Sequence, residues 1–238
     1  MNSDLYTHML SQWPHQPGKV QARVVSSENG SERLQVRIEL GILQMELTGH
    51  PEGSTAIYEA MSDDCDVLDG QTCLALQREA ALYAYRAFIL SVLERHAGVV
   101  KDMTRNLAVM SMIIRSGDAE VDRSRARSLT VQFLMIQARS RAAFAASRGD
   151  FGLARRTLES DMEEIRDALK LAGRGDDPEN TPEIQLLKVL LRLEVTTNHG
   201  KQAYVTLALL CDLHHHPDRV QRIEQHGGGH ATYRASDG

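Results

Sequence analysis

Two apolar stretches decide most of what this chain can fold into. Leu82, Tyr83, Tyr85, Phe88, Ile89, Leu90, Val92 and Leu93 lie in one helix-forming run, about 71–95, and cover nearly the whole circumference of the helix they would make. "VQFLMI" (131–136) does the same within a second run, about 119–147. An ordinary surface helix hides one stripe; a helix that is apolar on several sides has to be buried on more than one. Both helices are therefore expected at the centre of a helical assembly.

The remaining pattern supplies their neighbours. From about Ser54 onward the periodicity is helical. Ser54 is placed to cap a short helix through Met61, and the loop "SDDCDVLDG" follows. Gly98 interrupts the pattern near the start of a helix running to about Arg115, and "SGD" at 116–118 is the next break. Gly149 separates the 119–147 helix from one ending near Leu171. "AGRGDDPENTP" (172–182) is the most loop-like internal stretch. Two more helices are expected, about 182–197 and 201–213, before a glycine- and histidine-rich tail.

Strand character is confined to the first fifty residues. Leu34, Val36, Ile38 and Leu40 alternate with polar residues, as do Val20, Ala22 and Val24. Asn29-Gly30 suggests a two-residue turn, but that register sets Val36 opposite Arg23 and Ile38 opposite Gln21. A three-residue loop, Glu28-Asn29-Gly30, pairs Val36 with Ala22 and Ile38 with Val20, so the apolar faces coincide. The alternation changes phase at Gly41, where a third strand or a bent continuation carries Leu43, Met45 and Leu47. The resulting organisation is an N-terminal β-hairpin region, 1–53, a helical domain, 54–213, and a flexible tail, 214–238.

Composition narrows the function classes. Of 238 residues, 42% are hydrophobic and 25% charged, within the globular range. No run approaches the ~18 apolar residues of a membrane span. Asp4 and the lack of an apolar core near the start argue against a secretory signal. Cys65, Cys73 and Cys211 make no disulfide framework, so the expected setting is the reducing cytoplasm. Charge is uneven: residues 1–79 hold 5 Lys/Arg against 12 Asp/Glu, and residues 115–156 hold 9 against 4. Such a basic band suits nucleic acid, or answers the protein's own acidic surfaces. Arg123, Arg125 and Arg127 stand two apart, which scatters them round a helix instead of lining one stripe.

The tripeptide Arg-Gly-Asp occurs at 148–150 and again at 174–176. An adhesion ligand has to lie outside the cell, against the setting just inferred. Gly149-Asp150-Phe151, with Ala154 and Leu158 after it and Ala138, Ala142 and Ala145 before it, resembles the turn between the two helices of a tetratricopeptide repeat. There the glycine ends one helix, the aspartate caps the next, and the small residues let the helices approach. A weaker copy upstream puts His96 where Phe151 falls and Val99 where Ala154 falls; a third, downstream, uses Ala203. The spacing of ~50–55 residues exceeds the standard repeat and implies longer helices.

Two longer stretches resemble a family. "WPHQPGKVQARVV" with "ERLQVRIELGILQMELTGHPEG" (within 13–53) and "LQREAALYAYRAFILSVLERHAGVVKDMTRNLAVM" (76–110) are similar to planctomycete-type bacterial proteins that carry a UvrB/UvrC motif. The resemblance extends over roughly 13–170 and implies protein–protein contact through helical hairpins. The family's C-terminal hairpin would correspond to 186–213, where the turn reads Asn198-His199-Gly200, a single alanine, Ala203, stands beside Tyr204, and no Leu-Arg-Asp follows.

Motifs for chemistry are missing. Cys65 and Cys73 flank an acidic loop with Asp63, Asp64, Asp66 and Asp69, without calcium-loop spacing. His214, His215, His216, His226 and His230 crowd the tail, without the spacing of a zinc site. Glu159, Asp161, Glu163 and Glu164 form an acidic helix surface of the solvated kind. No nucleophile elbow, phosphate loop or dinucleotide fingerprint occurs. The expectation is therefore a mainly α protein of tetratricopeptide-like antiparallel hairpins with a small N-terminal sheet. Its expected role is that of a non-enzymatic scaffold or adaptor that binds protein, its own copy included, with no cofactor, metal, catalytic residue or membrane attachment. The alternative is a repair-related, nucleic-acid-associated factor using the 115–156 band.

Overall fold

The computed structural model describes residues 8, 10–17, 19–26, 30–61 and 67–196, the side chains of 193–196 excepted. The inferred helix at 201–213, the loop around Cys65, the turn at Asn198-His199-Gly200 and the histidine tail lie outside the described residues. The chain is mainly helical, with one three-stranded antiparallel sheet near its N-terminal end, ordered β1 (Gln21–Ser26), β2 (Glu32–Ile38), β3 (Gly41–Glu46).

The sheet has the register required by its apolar alternation. Ala22 pairs with Val36 and Val24 with Leu34, and Gly30 has φ 78°, in the left-handed region. The phase change at Gly41 is a second hairpin: Ile38 pairs with Gly41 across Glu39-Leu40, so Leu43 falls opposite Val36 and Met45 opposite Leu34. Arg37 closes that turn by donating to the carbonyls of Ile38 and Gly41, while its Nε donates to the Trp13 carbonyl at 2.7 Å. The apolar face, including Leu34 and Val36, packs into the same core as the helices, so the sheet has no core of its own. The other face is a polar ladder, Arg23 to Gln35 at 3.0 Å and Gln35 to Gln44 at 2.9 Å, with the Arg23 guanidinium 4.1 Å from the Trp13 ring centre.

A short helix α1 (Ile57–Ala60) leads to four long ones: α2 (Gly70–Val92), α3 (His96–Ser116), α4 (Glu120–Ser147) and α5 (Phe151–Leu171). A 3₁₀ turn (Pro178–Asn180) and α6 (Pro182–Thr196) follow. Each long helix packs on the next through a short turn, the connection that makes neighbours antiparallel, and α2 also touches α4. Asp69 caps α2 by accepting from the Thr72 N–H at 2.7 Å. Leu68 bridges to the turn after α3, donating to the Ser116 carbonyl at 2.7 Å and accepting from Asp118 N–H at 2.9 Å. Ser54 does not cap α1 as its position suggests. Its hydroxyl lies 2.9 Å from His50 Nδ1, and the Glu79 carboxylate on α2 accepts from the free Ile57 N–H instead.

Two cores share α4. One joins the sheet, α2, α3 and the first half of α4 around Leu76, Ala80, Leu90, Met103, Met110 and Ile113. The second joins the rest of α4 to α5 and α6 around Leu158, Ile165, Leu169, Ile184 and Leu187. Ala138, Ala142, Ala145 and Ala154 are buried at the α4–α5 crossing, in the spacer role that the sequence suggests. α2 is covered on the faces carrying Glu79, Arg86 and Ile89 and carrying Leu76, Tyr83 and Leu90, while Leu74, Tyr85 and Phe88 stand in solvent on a third. Burial on more than one side holds; burial all round does not.

The α2–α3 and α4–α5 turns are built alike, fifty-five residues apart. Arg95 N–H donates to the Leu90 carbonyl at 2.8 Å and Glu94 N–H to Ser91 at 3.1 Å. At the second turn Asp150 N–H donates to Ala145 at 3.1 Å and Gly149 N–H to Ala146 at 2.9 Å. His96 and Phe151 open the following helices, and Val99 and Ala154 are both fully buried. The difference is the left-handed residue: Gly149 at φ 82° in one turn, Glu94 at φ 56° in the other. An L side chain in that region costs ~1–2 kcal/mol. Glu94→Gly is therefore expected to raise stability, and Gly149→Ala to lower it, each by ~1 kcal/mol in urea unfolding at neutral pH.

Candidate functional site

The densest collection of buried polar groups surrounds Tyr83, where α2 and α3 meet the loop leaving the sheet. Arg86 on α2 forms a two-pronged pair with Asp102 on α3, at 2.8 and 2.7 Å, with both side chains about 4% exposed. Its remaining nitrogen donates to the carbonyls of Glu46 at 3.0 Å and Gly49 at 2.8 Å. Two turns back on α2, Glu79 accepts from Ile57 N–H at 2.6 Å and from Arg105, and its Oε2 lies 3.7 Å from His50 Nε2. Arg105 reaches from α3 to Glu59 at 2.8 and 2.9 Å. The Arg105 guanidinium sits 4.0 Å from the Tyr83 ring centre, Arg86 sits 4.9 Å from it, and His50 meets the ring edge-on at 5.9 Å.

Sequence periodicity explains how the groups converge. Glu79, Tyr83 and Arg86 follow one another at i, i+4 and i+7 on α2, and Asp102 and Arg105 are three apart on α3. Their carriers are apolar enough to be forced inside, so these polar side chains go in with them. Burial pushes the Asp102 carboxyl above the ordinary range, against the opposing pull of Arg86. It also pushes the Tyr83 hydroxyl up. For Arg105 burial acts downward, but the bonds to Glu59 and Glu79 outweigh it and leave the guanidinium firmly charged. The Glu59 carboxyl is held low by its bond to Arg105.

The oxygens of Glu79 and Asp102 are engaged by backbone N–H groups or guanidinium nitrogens. The cluster bolts the sheet's exit loop and α1 onto the α2–α3 hairpin.

The residues singled out from the sequence are placed as follows. Four of the band's nine arginines are paired with acids: Arg123 and Arg127 both bind Glu120, at 2.9 and 2.6 Å, Arg141 binds Asp161 at 2.9 Å, and Arg155 binds Glu159 at 2.9 Å. Arg125 turns the other way, toward Gln77 on α2 at 3.4 Å. The partners are the band's own and adjacent helices' acids, not the acidic N-terminal region. Of the acidic set on α5, Glu159, Glu163 and Glu164 are exposed as expected, whereas Asp161 is buried, its carboxyl raised by burial. Cys73 is buried with its Sγ 3.8 Å from the Leu68 carbonyl, and burial raises its thiol, which makes it a poor nucleophile. Cys65, Cys211 and the tail histidines lie outside the described residues. Among the described residues, no group of three or more His, Cys, Asp or Glu side chains is placed to hold a metal ion. Likewise no described helix is long and apolar enough to cross a membrane.

Both Arg-Gly-Asp tripeptides are helix punctuation. Asp150 caps α5 by accepting from Leu153 N–H at 2.8 Å, and Arg148 folds over the Phe144 ring at 5.6 Å. Arg174 grips the buried Glu183 through two bonds, 2.8 and 2.9 Å, tying the turn after α5 to the start of α6. What remains conspicuous on the outside is apolar. Leu74, Tyr85 and Phe88 line the open side of α2, and Phe144, Phe151 and Leu153 gather at the α4–α5 corner. Compared with known proteins, the chain matches no family model, no curated protein and no solved structure.

Two measurements test these electrostatics. Truncating Arg86 or Asp102 alone leaves a buried charge unpaired and is expected to cost ~3–5 kcal/mol. Arg86→Met/Asp102→Leu is expected to cost less than the sum of the two by ~1–3 kcal/mol, read in a double-mutant cycle of urea unfolding. It stays below the parent because the Glu46 and Gly49 carbonyls lose their donor. Glu179 is the second case: its bonds to Arg166 at 2.5 Å and Lys188 at 2.7 Å hold its carboxyl down at about 2. A lowered carboxyl stabilises the fold above its ordinary range near 4.5 and loses that contribution as pH falls toward 2. Glu179→Gln is therefore expected to be less stable than the parent at pH 7, with the gap closing as unfolding is repeated at pH 4 and pH 3.

Proposed function

We propose that this protein is a non-enzymatic scaffold or adaptor of helical-repeat type, which works in the cytoplasm by binding another protein through the outer faces of its helices. The observation that carries the reading is the contrast on its surface. Four arginines of the 115–156 band, Arg123, Arg127, Arg141 and Arg155, are paired with neighbouring acids, whereas large aromatic and aliphatic side chains stand uncovered at helical spacing. Apolar patches of that kind on an otherwise polar surface mark places where other proteins dock. The like-built turns fifty-five residues apart support the repeat reading. The resemblance of 13–53 and 76–110 to UvrB/UvrC-motif proteins points the same way, toward contact through helical hairpins.

The alternative, a repair-related nucleic-acid factor, needs cations free to meet phosphates. The pairing of Arg123, Arg127, Arg141 and Arg155 counts against it. The test is affinity capture with the full-length protein from its native cells, with and without nuclease, analysed by mass spectrometry. The expected result is a protein partner retained after nuclease treatment and at ~0.5 M salt, where phosphate contacts weaken steeply. Capture that disappears with nuclease, together with salt-dependent binding to DNA or RNA by the pure protein, would transfer the assignment to the alternative.

A further inference from the structure

The open side of α2 carries a second pattern, separate from the one that buries its other faces. Leu74, Arg78, Ala81, Tyr85, Phe88 and Val92 are spaced 4, 3, 4, 3 and 4 residues apart. On a helix this places them within a stripe about 80° wide and ~27 Å long. Tyr85 is 62% exposed, Phe88 42% and Leu74 37%; Arg78 is exposed, and Ala81 and Val92 are half-buried. Spacing of this kind is the seam of a two-helix coiled coil, in which such positions from two helices interlock. No other described helix lies over it.

The seam is palindromic. Laid antiparallel against a copy of itself, with the two-fold axis at the level of Tyr83, it sets Leu74 against Val92, Arg78 against Phe88 and Ala81 against Tyr85 of the second helix. Each layer matches: aliphatic on aliphatic, cation on aromatic ring, and the smallest side chain opposite the most exposed ring. Arg78 has no ion pair among the described residues, and a ring from another copy would supply it with a partner. The parallel arrangement matches only at Leu74, Phe88 and Val92. It stacks Arg78 on Arg78 and Tyr85 on Tyr85, and leaves a gap between two alanines. A closed two-fold interface must be self-complementary in this sense, since each layer occurs twice with the roles exchanged.

We propose that the partner on this face is a second copy of the chain, docked α2 to α2 in antiparallel fashion through Leu74, Arg78, Ala81, Tyr85, Phe88 and Val92. The proposal rests on the protein-binding reading above and names one partner for it. A single helix stripe buries less than the ~800 Å² per partner of a standard stable interface. The dimer is accordingly a micromolar one, present at high local concentration and dissociated on dilution.

The test uses the full chain. Analytical ultracentrifugation from ~1 to ~200 µM is expected to show mass rising from monomer toward dimer. Tyr85→Glu/Phe88→Glu is expected to raise the dissociation constant at least ~30-fold, the effect of losing a central anchor, with an unchanged melting curve. A photoreactive phenylalanine analogue at position 88, in a mixture of isotopically light and heavy protein, is expected to cross-link between copies to the residues around Arg78. A monomer throughout the range overturns the proposal. So do cross-links to the region of Phe88 in the other copy, which mean a parallel pair, and cross-links to residues 197–238 of the same chain, which mean the tail covers the stripe. A monomer that still captures a different protein overturns this inference alone and leaves the adaptor reading standing.

Discussion

A guanidinium buried in a protein needs every nitrogen supplied with an acceptor, and meeting that need at Arg86 organises the N-terminal half of this molecule. Asp102 supplies two acceptors from α3, and the carbonyls of Glu46 and Gly49 supply the others from the end of the sheet. Three segments are therefore held in one geometry by one side chain. Burial works against the pair, as the raised Asp102 carboxyl records, so it is a poor source of net stability. What it contributes is position. The apolar faces of the sheet and of α2 are tolerant of sliding, whereas a forked group with fixed acceptors is not.

The same division of labour recurs along the chain. Apolar side chains drive association: Leu34 and Val36 with Leu90 and Met103 in one core, Leu158 and Ile165 with Ile184 and Leu187 in the other. Ion pairs then set the details: Arg105 with Glu59 and Glu79, Arg174 with Glu183, Arg166 with Glu179. Because α4 belongs to both cores, its 28 residues couple the two halves, and Leu107 of α3 also packs against both. Burial stops short on α2 and at the α4–α5 corner, where large apolar side chains stay exposed.

Much of this was legible without coordinates, and the reasons are local. The strand register followed from which alignment put Ala22 and Val24 beside Val36 and Leu34, a comparison needing only alternate residues. The Gly149 turn followed from a glycine, a capping aspartate and small residues at the crossing. Local reasoning failed where a distant group took over a local task. Ser54 stood in a capping position, yet Glu79, 22 residues beyond Ile57, accepts the helix N–H while Ser54 turns to His50. Asp161 read as one of four solvated acids, but it sits one face round from its neighbours and is buried against Arg141. The Tyr83 cluster went unseen for the same reason. Its i, i+4, i+7 spacing was a usable signal on α2, but its acceptors lie 16 to 40 positions away.

The amino-acid sequence by itself determined the elements of this protein: where the long helices begin and stop, how the first two strands pair, which helices must be inside. Those outcomes depend on dihedral preference and on periodicity, both carried by residues within one or two turns of each other. Only the tertiary structure decided which polar side chains would be buried, whom they would pair with, and which side of α2 would stay open. Those outcomes depend on distances between segments far apart in the chain. Nothing in a local stretch distinguishes an arginine that will face water from one that will end beneath a sheet.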